Sequence, residues 1–296
     1  MPIKHLVLSG GGAGGIAHFG ALRYLEKNKF WNFEEIESIY STSMGSIIAV
    51  ILIISKDWTI LDDYIIKRPW DKVITVNPTD IINLWQEKGI LNTNTMNDIL
   101  EPLLKAQDLS IDITLKELFD YSNIELHMYT TNLNAKHPEK VDISYKTHGD
   151  LAVSTALAMS AAFPIIFSPV CDGSFCYIDG GLLNNFPLND CIVKNPTIEE
   201  ILAIKISSMP TNPIIDNEST LINYLYNLLN GMFRLISSDN KQQPIKNFVN
   251  CIIDINNFSK WSDALINNKT RQELVNIGDK CAQQFLDNYN LSMPDC

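Results

Sequence analysis

The chain has 296 residues, 46% of them hydrophobic, and carries 23 Lys and Arg against 34 Asp and Glu, a formal net charge of -11. That length supports one large α/β core with a C-terminal elaboration rather than two full domains. The charge excludes an electrostatic footprint for nucleic acid, and the scattered basic residues make no polybasic patch, so any membrane contact has to come from apolar side chains.

In chain order, the β-branched run Ile3–Leu8 predicts a strand that opens into the glycine loop Ser9–Gly15. A helix follows over Ala17–Asn28, where Phe19, Leu22 and Leu25 keep helical spacing. A second strand is expected at Ile36–Tyr40, a turn at Ser41–Ser43 and a buried helix over Met44–Ile54. Strand, loop and helix written twice predict a mostly parallel central sheet with helices on both faces, its working edge at the carboxyl ends of the strands. Trp58–Leu109 reads as a helical insertion over that edge, interrupted by Pro69, Pro78 and Gly89. Strands are expected at Ile124–Thr131, Val141–Tyr145, Phe175–Ile178 and Ile201–Ile206, and an alanine-rich helix at Leu151–Ala162. The last section predicts a helix over Leu221–Ile236, a strand at Val249–Ile255 and a helix from Arg271 to about Tyr289. The face made by Leu221, Leu225, Leu228, Met232 and Leu235 is expected to pack on the core, with lining an acyl groove or touching lipid as the alternatives. A lid could come from that helix or from the insertion carrying Trp70 and Trp85.

The longest apolar run, Ile47–Ile54, is far short of the ~20 residues that span a bilayer, and Met1–Leu8 lacks the features of a secretory signal. The six cysteines form no C-x-x-C pair and read as free thiols, with no metal site among them. A cytoplasmic protein, peripheral on membranes at most, is the resulting expectation.

Two loops carry candidate chemistry. Ser43 falls at a strand-to-helix turn, Ser41-Thr42-Ser43-Met44-Gly45, with small residues two before and two after it, as a nucleophile elbow requires. The competing reading is an ordinary connection with Ser43 as a helix N-cap. The loop Gly10, Gly11, Gly12, Ala13, Gly14 and Gly15 can converge backbone N–H groups on one negative charge, either a dinucleotide pyrophosphate or an oxyanion. A nucleotide site wants an acidic residue ending the next strand, but that strand ends in Ser41-Thr42-Ser43, which favours the oxyanion hole. None of the five histidines follows residue 148, so the late histidine of an α/β-hydrolase is missing. Asp179, followed by Gly180 and Gly181 after a short apolar strand, is the candidate base, with a plain β-turn as the competing reading. His18 reads as a helix-end or packing residue.

Taken together, the glycine loop, the serine elbow, Ser160-Ala161-Ala162-Phe163-Pro164 and Asp179-Gly180-Gly181 resemble the patatin-like phospholipase family in order and spacing. The resemblance implies a patatin-like three-layer α/β fold with its catalytic domain over residues 3–190 and an αβα elaboration over 191–296 on the same core. It also implies a calcium-independent lipid acyl hydrolase with a Ser43–Asp179 dyad, no histidine, no cofactor and no metal. The Gly10–Gly15 amides would form its oxyanion hole, with Ser41, Gly45, Gly180 and Gly181 as support. The implied partners are a phospholipid or acylglycerol substrate and a transient membrane surface, without nucleic acid. Two positions depart from the family pattern: Ser41 stands where Gly is usual, and Gly14 where Arg or Lys is frequent. A lipid-binding protein without turnover and a nucleotide-binding protein are the rival functions.

Overall fold

The computed structural model describes residues 1–74, 84, 86–209, 215–238, 242–254 and 258–291. Trp85 and Cys296 lie outside these described residues. Among the described residues ten strands are formed: β1 (His5–Leu8), β2 (Ser38–Thr42), β3 (Gly89–Leu91), β4 (Glu125–Asn132), β5 (Glu139–Ile143), β6 (Ile165–Phe167), β7 (Val170–Asp172), β8 (Phe175–Asp179), β9 (Ile201–Ser208) and β10 (Phe248–Ile253). Eight of them make one sheet in the order β10-β9-β1-β2-β4-β8-β7, with β5 also on β4, while β3 and β6 pair separately. From β10 to β4 all neighbours are parallel, and β5, β7 and β8 extend the sheet in antiparallel fashion.

The alternation of a strand's side chains builds the layers. On one face Leu6, Leu8, Ile39, Leu202 and Ile204 pack with helices α1 (Ile16–Lys27) and α2 (Met44–Ile54) and with the helix Asn268–Leu291. On the other, Val7, Tyr40, Tyr129 and Ala203 pack with Phe186, Leu188 and Cys191. The result is a central sheet with helices on both sides, the architecture expected from the repeated strand–loop–helix pattern. Every residue of α2 from Gly45 to Ile54 is buried, which explains why its sequence is apolar on all sides.

Several expectations are corrected. The second strand runs two residues further, through Thr42, because it pairs in register with both β1 and β4 up to the elbow. The strand expected at Val141–Tyr145 ends at Ile143, since Ser144 begins the capping box of a short helix, Tyr145–His148. Cys171 and Cys176 face each other across the β7–β8 hairpin, Cα to Cα 4.0 Å, and form a disulfide rather than two free thiols; Cys191, Cys251 and Cys281 are free. The helix Leu221–Ser238 does not turn its leucine face to the core. Leu221, Leu228, Met232 and Leu235 are exposed, Leu225 is half-buried, and Tyr226 and Phe233 turn inward against Phe163 with ring centroids 5.9 and 5.0 Å away. Among the described residues no helix is long and apolar enough to cross a membrane.

Candidate active site

The register of β4 brings the two candidate residues together. Its pairing with β2 ends at Thr42↔Tyr129, and its pairing with β8 begins at Thr130↔Asp179. Ser43 follows Thr42, so adjacent positions on one strand deliver Ser43 and Asp179 to the same point across 136 residues of chain.

Ser43 has φ 55° and ψ -126°, a conformation that L residues rarely adopt and that costs roughly 1–3 kcal/mol. The turn is held from three directions. The carbonyl of Ser43 accepts from the amides of Ser46 and Ile47, its own N–H donates to Ser160 Oγ at 3.1 Å, and Ser160 Oγ donates to the Tyr129 carbonyl at 2.8 Å. Gly45 is required by close approach, because a Cβ there would lie 2.6 Å from the carbonyl oxygens of Leu8 and Ser9. Ser43 therefore occupies the N-cap position of α2, yet its hydroxyl makes no capping bond to the helix. Instead Ser43 Oγ donates to Asp179 Oδ2 at 2.6 Å. Ser41 fits where glycine is usual because its backbone does not need a positive φ, and its buried hydroxyl donates to the His127 carbonyl at 3.2 Å.

Asp179 is fixed by its backbone as well as its side chain. Its N–H donates to the Ala162 carbonyl and that of Gly180 to the Ser160 carbonyl, so the Ser160–Ala162 segment holds both Ser43 and Asp179 in place. Gly180 packs against β4, where a Cβ would meet the Tyr129 carbonyl oxygen at 2.2 Å, and the Gly181 N–H donates to Asp179 Oδ1 at 2.7 Å. Burial of the carboxyl pushes its pKa up to about 6, against the opposing pull of the Ser43 and Gly181 hydrogen bonds. A carboxylate with that proton affinity is a far better base for an alcohol than an exposed one.

The glycine loop is used more narrowly than six converging amides. Gly10 donates its N–H to the Asn185 carbonyl at 2.9 Å, and Ala13, Gly14 and Gly15 are buried in the 3-10 turn Gly12–Gly15 that leads into α1. Gly11 and Gly12 line the cavity beside Ser43, and their amides donate to no carbonyl or side chain among the described residues. Gly14 faces Ile206 and Ile253, so its surroundings are apolar. His18 is buried, with Nε2 2.8 Å from the Ser9 carbonyl, as a packing residue should be; burial lowers its pKa to about 4.

Ser43 and Asp179 line a cavity of about 390 Å³, within the range of small-ligand sites. Ile47, Ile48 and Ile51 of α2 line it together with Ile65, Trp70 and Ile99 and with Phe163, Tyr226 and Phe233. The insertion and the helix Leu221–Ser238 thus both line it. Among the described residues, Asp179 is the one acid in a lining that includes Lys205, Arg234 and Arg271. Among the described residues no cluster of His, Cys, Asp or Glu is placed to hold a metal ion. Sequence reasoning missed Ser160 as the support of the elbow and Asn185 as the partner of Gly10. The signal for Ser160 was its place at the head of the Ser160-Ala161-Ala162-Phe163-Pro164 segment that carries part of the family resemblance, which did not reveal its bond to Ser43.

Known proteins resemble this chain in sequence and in fold. The chain is 31% identical over 191 residues to "Probable lipid hydrolase 463L" of Invertebrate iridescent virus 6, an alignment covering 64% of this chain and 63% of that protein. It is 28% identical over 186 residues to an uncharacterized protein of Acanthamoeba polyphaga mimivirus, covering 63% of this chain and 60% of the other. The alignments thus span less than two thirds of either relative's length. Among solved structures, VipD from Legionella pneumophila shares the fold with a TM-score of 0.56 at 17% identity, over 97% of this chain and 67% of that one. The family model for patatin-like phospholipase matches residues 6–192, from β1 through the elbow and Asp179 to the helix after β8. The chain belongs to the patatin-like phospholipase family.

Proposed function

We propose that this chain is a lipid acyl hydrolase that cleaves fatty acyl esters of phospholipids or related lipids through an acyl-enzyme on Ser43, with Asp179 as base. The observation that carries the reading is the 2.6 Å hydrogen bond from Ser43 Oγ to a buried carboxyl at the mouth of an apolar cavity. Ser43 Oγ attacks the acyl carbonyl while Asp179 takes its proton. The negative charge on the carbonyl oxygen is met by the amides of Gly11 and Gly12 near the start of α1, donors that commonly contribute about 3 kcal/mol each in a transition state. Collapse returns the proton to the departing alcohol and leaves an ester on Ser43. Water, deprotonated by Asp179, then releases the fatty acid and restores the serine.

The isoleucine walls suit an acyl chain, which needs apolar contact and no polar partner, and they do not suit a nucleotide. Fatty-acid release from phospholipid and neutral-lipid substrates tests the reading. Wild type should release fatty acid, and Ser43→Ala and Asp179→Asn should each lower the rate on the order of a thousandfold. A folded wild type inert across the panel would make the chain a lipid-binding protein without turnover.

A further inference from the structure

The helix Leu221–Ser238 has two unlike sides. Tyr226, Asn230 and Phe233 wall the cavity that holds Ser43 and Asp179. Away from the cavity, Leu221, Tyr224, Leu228, Met232 and Leu235 recur at intervals of three and four residues, so they share one face, and they are exposed by 71, 46, 46, 48 and 72%. A continuous apolar row of that kind costs free energy in water unless something covers it.

We infer that this row docks on a lipid surface, with the helix lying along the headgroup boundary and the cavity mouth beside it. The choice of occupant rests on the reading of the chain as a lipid acyl hydrolase and on two observations. First, Arg234 is exposed and also lines the cavity, so the helix borders the opening. A protein partner or a second copy seated on the row would crowd the passage an acyl ester has to use, whereas a lipid surface presents the ester there. Second, the helix contains no Asp or Glu and a single cation, Arg234, in a chain of net charge -11. This element therefore adds no acidic charge to repel a lipid surface, and the driving force is insertion of apolar side chains rather than attraction to anionic headgroups.

The test is co-sedimentation of the full chain, made inert by Ser43→Ala, with phosphatidylcholine vesicles. The combined change Leu221→Gln, Leu228→Gln, Met232→Gln and Leu235→Gln should lower vesicle affinity about tenfold or more. The milder pair Leu221→Gln and Leu235→Gln, at the two most exposed positions, should lower it in the same direction and guards against misfolding of the larger set. Val193→Gln, an 83% exposed side chain on the helix Leu188–Lys194, should leave binding unchanged. With Ser43 intact, the same helix variants should lose turnover of vesicle lipid and keep turnover of a water-soluble short-chain ester. Undiminished vesicle binding in both helix variants would overturn the inference, as would a dimeric wild type that these changes convert to monomer. Vesicle binding through this row by a chain that hydrolyses no ester would sink the hydrolase reading and leave the docking surface standing.

Discussion

Asp179 accepts hydrogen bonds on both of its oxygens, from Ser43 and from Gly181, yet burial still holds its pKa well above the ordinary carboxylate range. Two consequences follow from that balance. In its proposed role as base it must be ionised, so kcat/KM for a neutral ester should rise with unit slope below about pH 6 and level off above it. A profile flat down to pH 4 would remove Asp179 from the role. The same shift affects stability, because the native carboxyl holds its proton more tightly than the unfolded one, which titrates near 3.8. Its contribution is fully present below that value and is lost as pH rises through about 6, a cost on the order of 3 kcal/mol at pH 7. Asp179→Asn should accordingly raise the melting temperature by a few degrees at pH 7 and leave it nearly unchanged at pH 4. Equal effects at both pH values would contradict the assignment of a desolvated carboxylate.

The sequence exposes the residues of such a site more readily than their supports. Ser43, Asp179 and the glycine loop sit in local patterns of small residues next to strands, and those patterns are visible without the fold. Ser160 is 117 residues from the amide it holds, and the Asn185 carbonyl that engages Gly10 is an equally remote partner. Nothing local to either residue encodes those bonds.

At the scale of elements, α1, α2, β4 and β9 were legible because their apolar periodicity is strong and their burial nearly complete. β3, β6 and β7 were not, since each has three residues; β3 and β6 form only by pairing with each other across a long stretch of chain, and β7 only against its hairpin partner β8. The helix Leu221–Ser238 shows a different limit: periodicity says which side chains share a face, not whether anything covers that face. Between elements, Arg23 of α1 bridges Asp62 at the end of the helix Trp58–Asp62 and Asp279 of the helix Asn268–Leu291, the latter at 2.7 Å. Removing it leaves two half-buried carboxylates close together, with Lys27 as a weaker offset to the charge on Asp279. Arg23→Ala should therefore destabilise the fold by roughly 2–4 kcal/mol, read as a lowered urea midpoint with an unchanged slope. A midpoint shift worth less than ~0.5 kcal/mol would show the bridge to be a surface pair of little consequence.

For the molecule as a whole, the β2–β4–β8 junction brings Ser43 and Asp179 to the carboxyl end of the parallel strands, where open α/β sheets place their ligands. The insertion and the helix Leu221–Ser238, far apart in sequence, both line one apolar cavity at that point. The central claim is that Ser43 is a nucleophile activated by Asp179, and mass mapping after treatment with a long-chain alkyl fluorophosphonate tests it most directly. The account predicts a single phosphonyl adduct on Ser43 in wild type, with labelling abolished in Ser43→Ala and slowed at least a hundredfold or so in Asp179→Asn. An adduct on another residue, or labelling of Ser43 at the same rate without the Asp179 carboxylate, would contradict it.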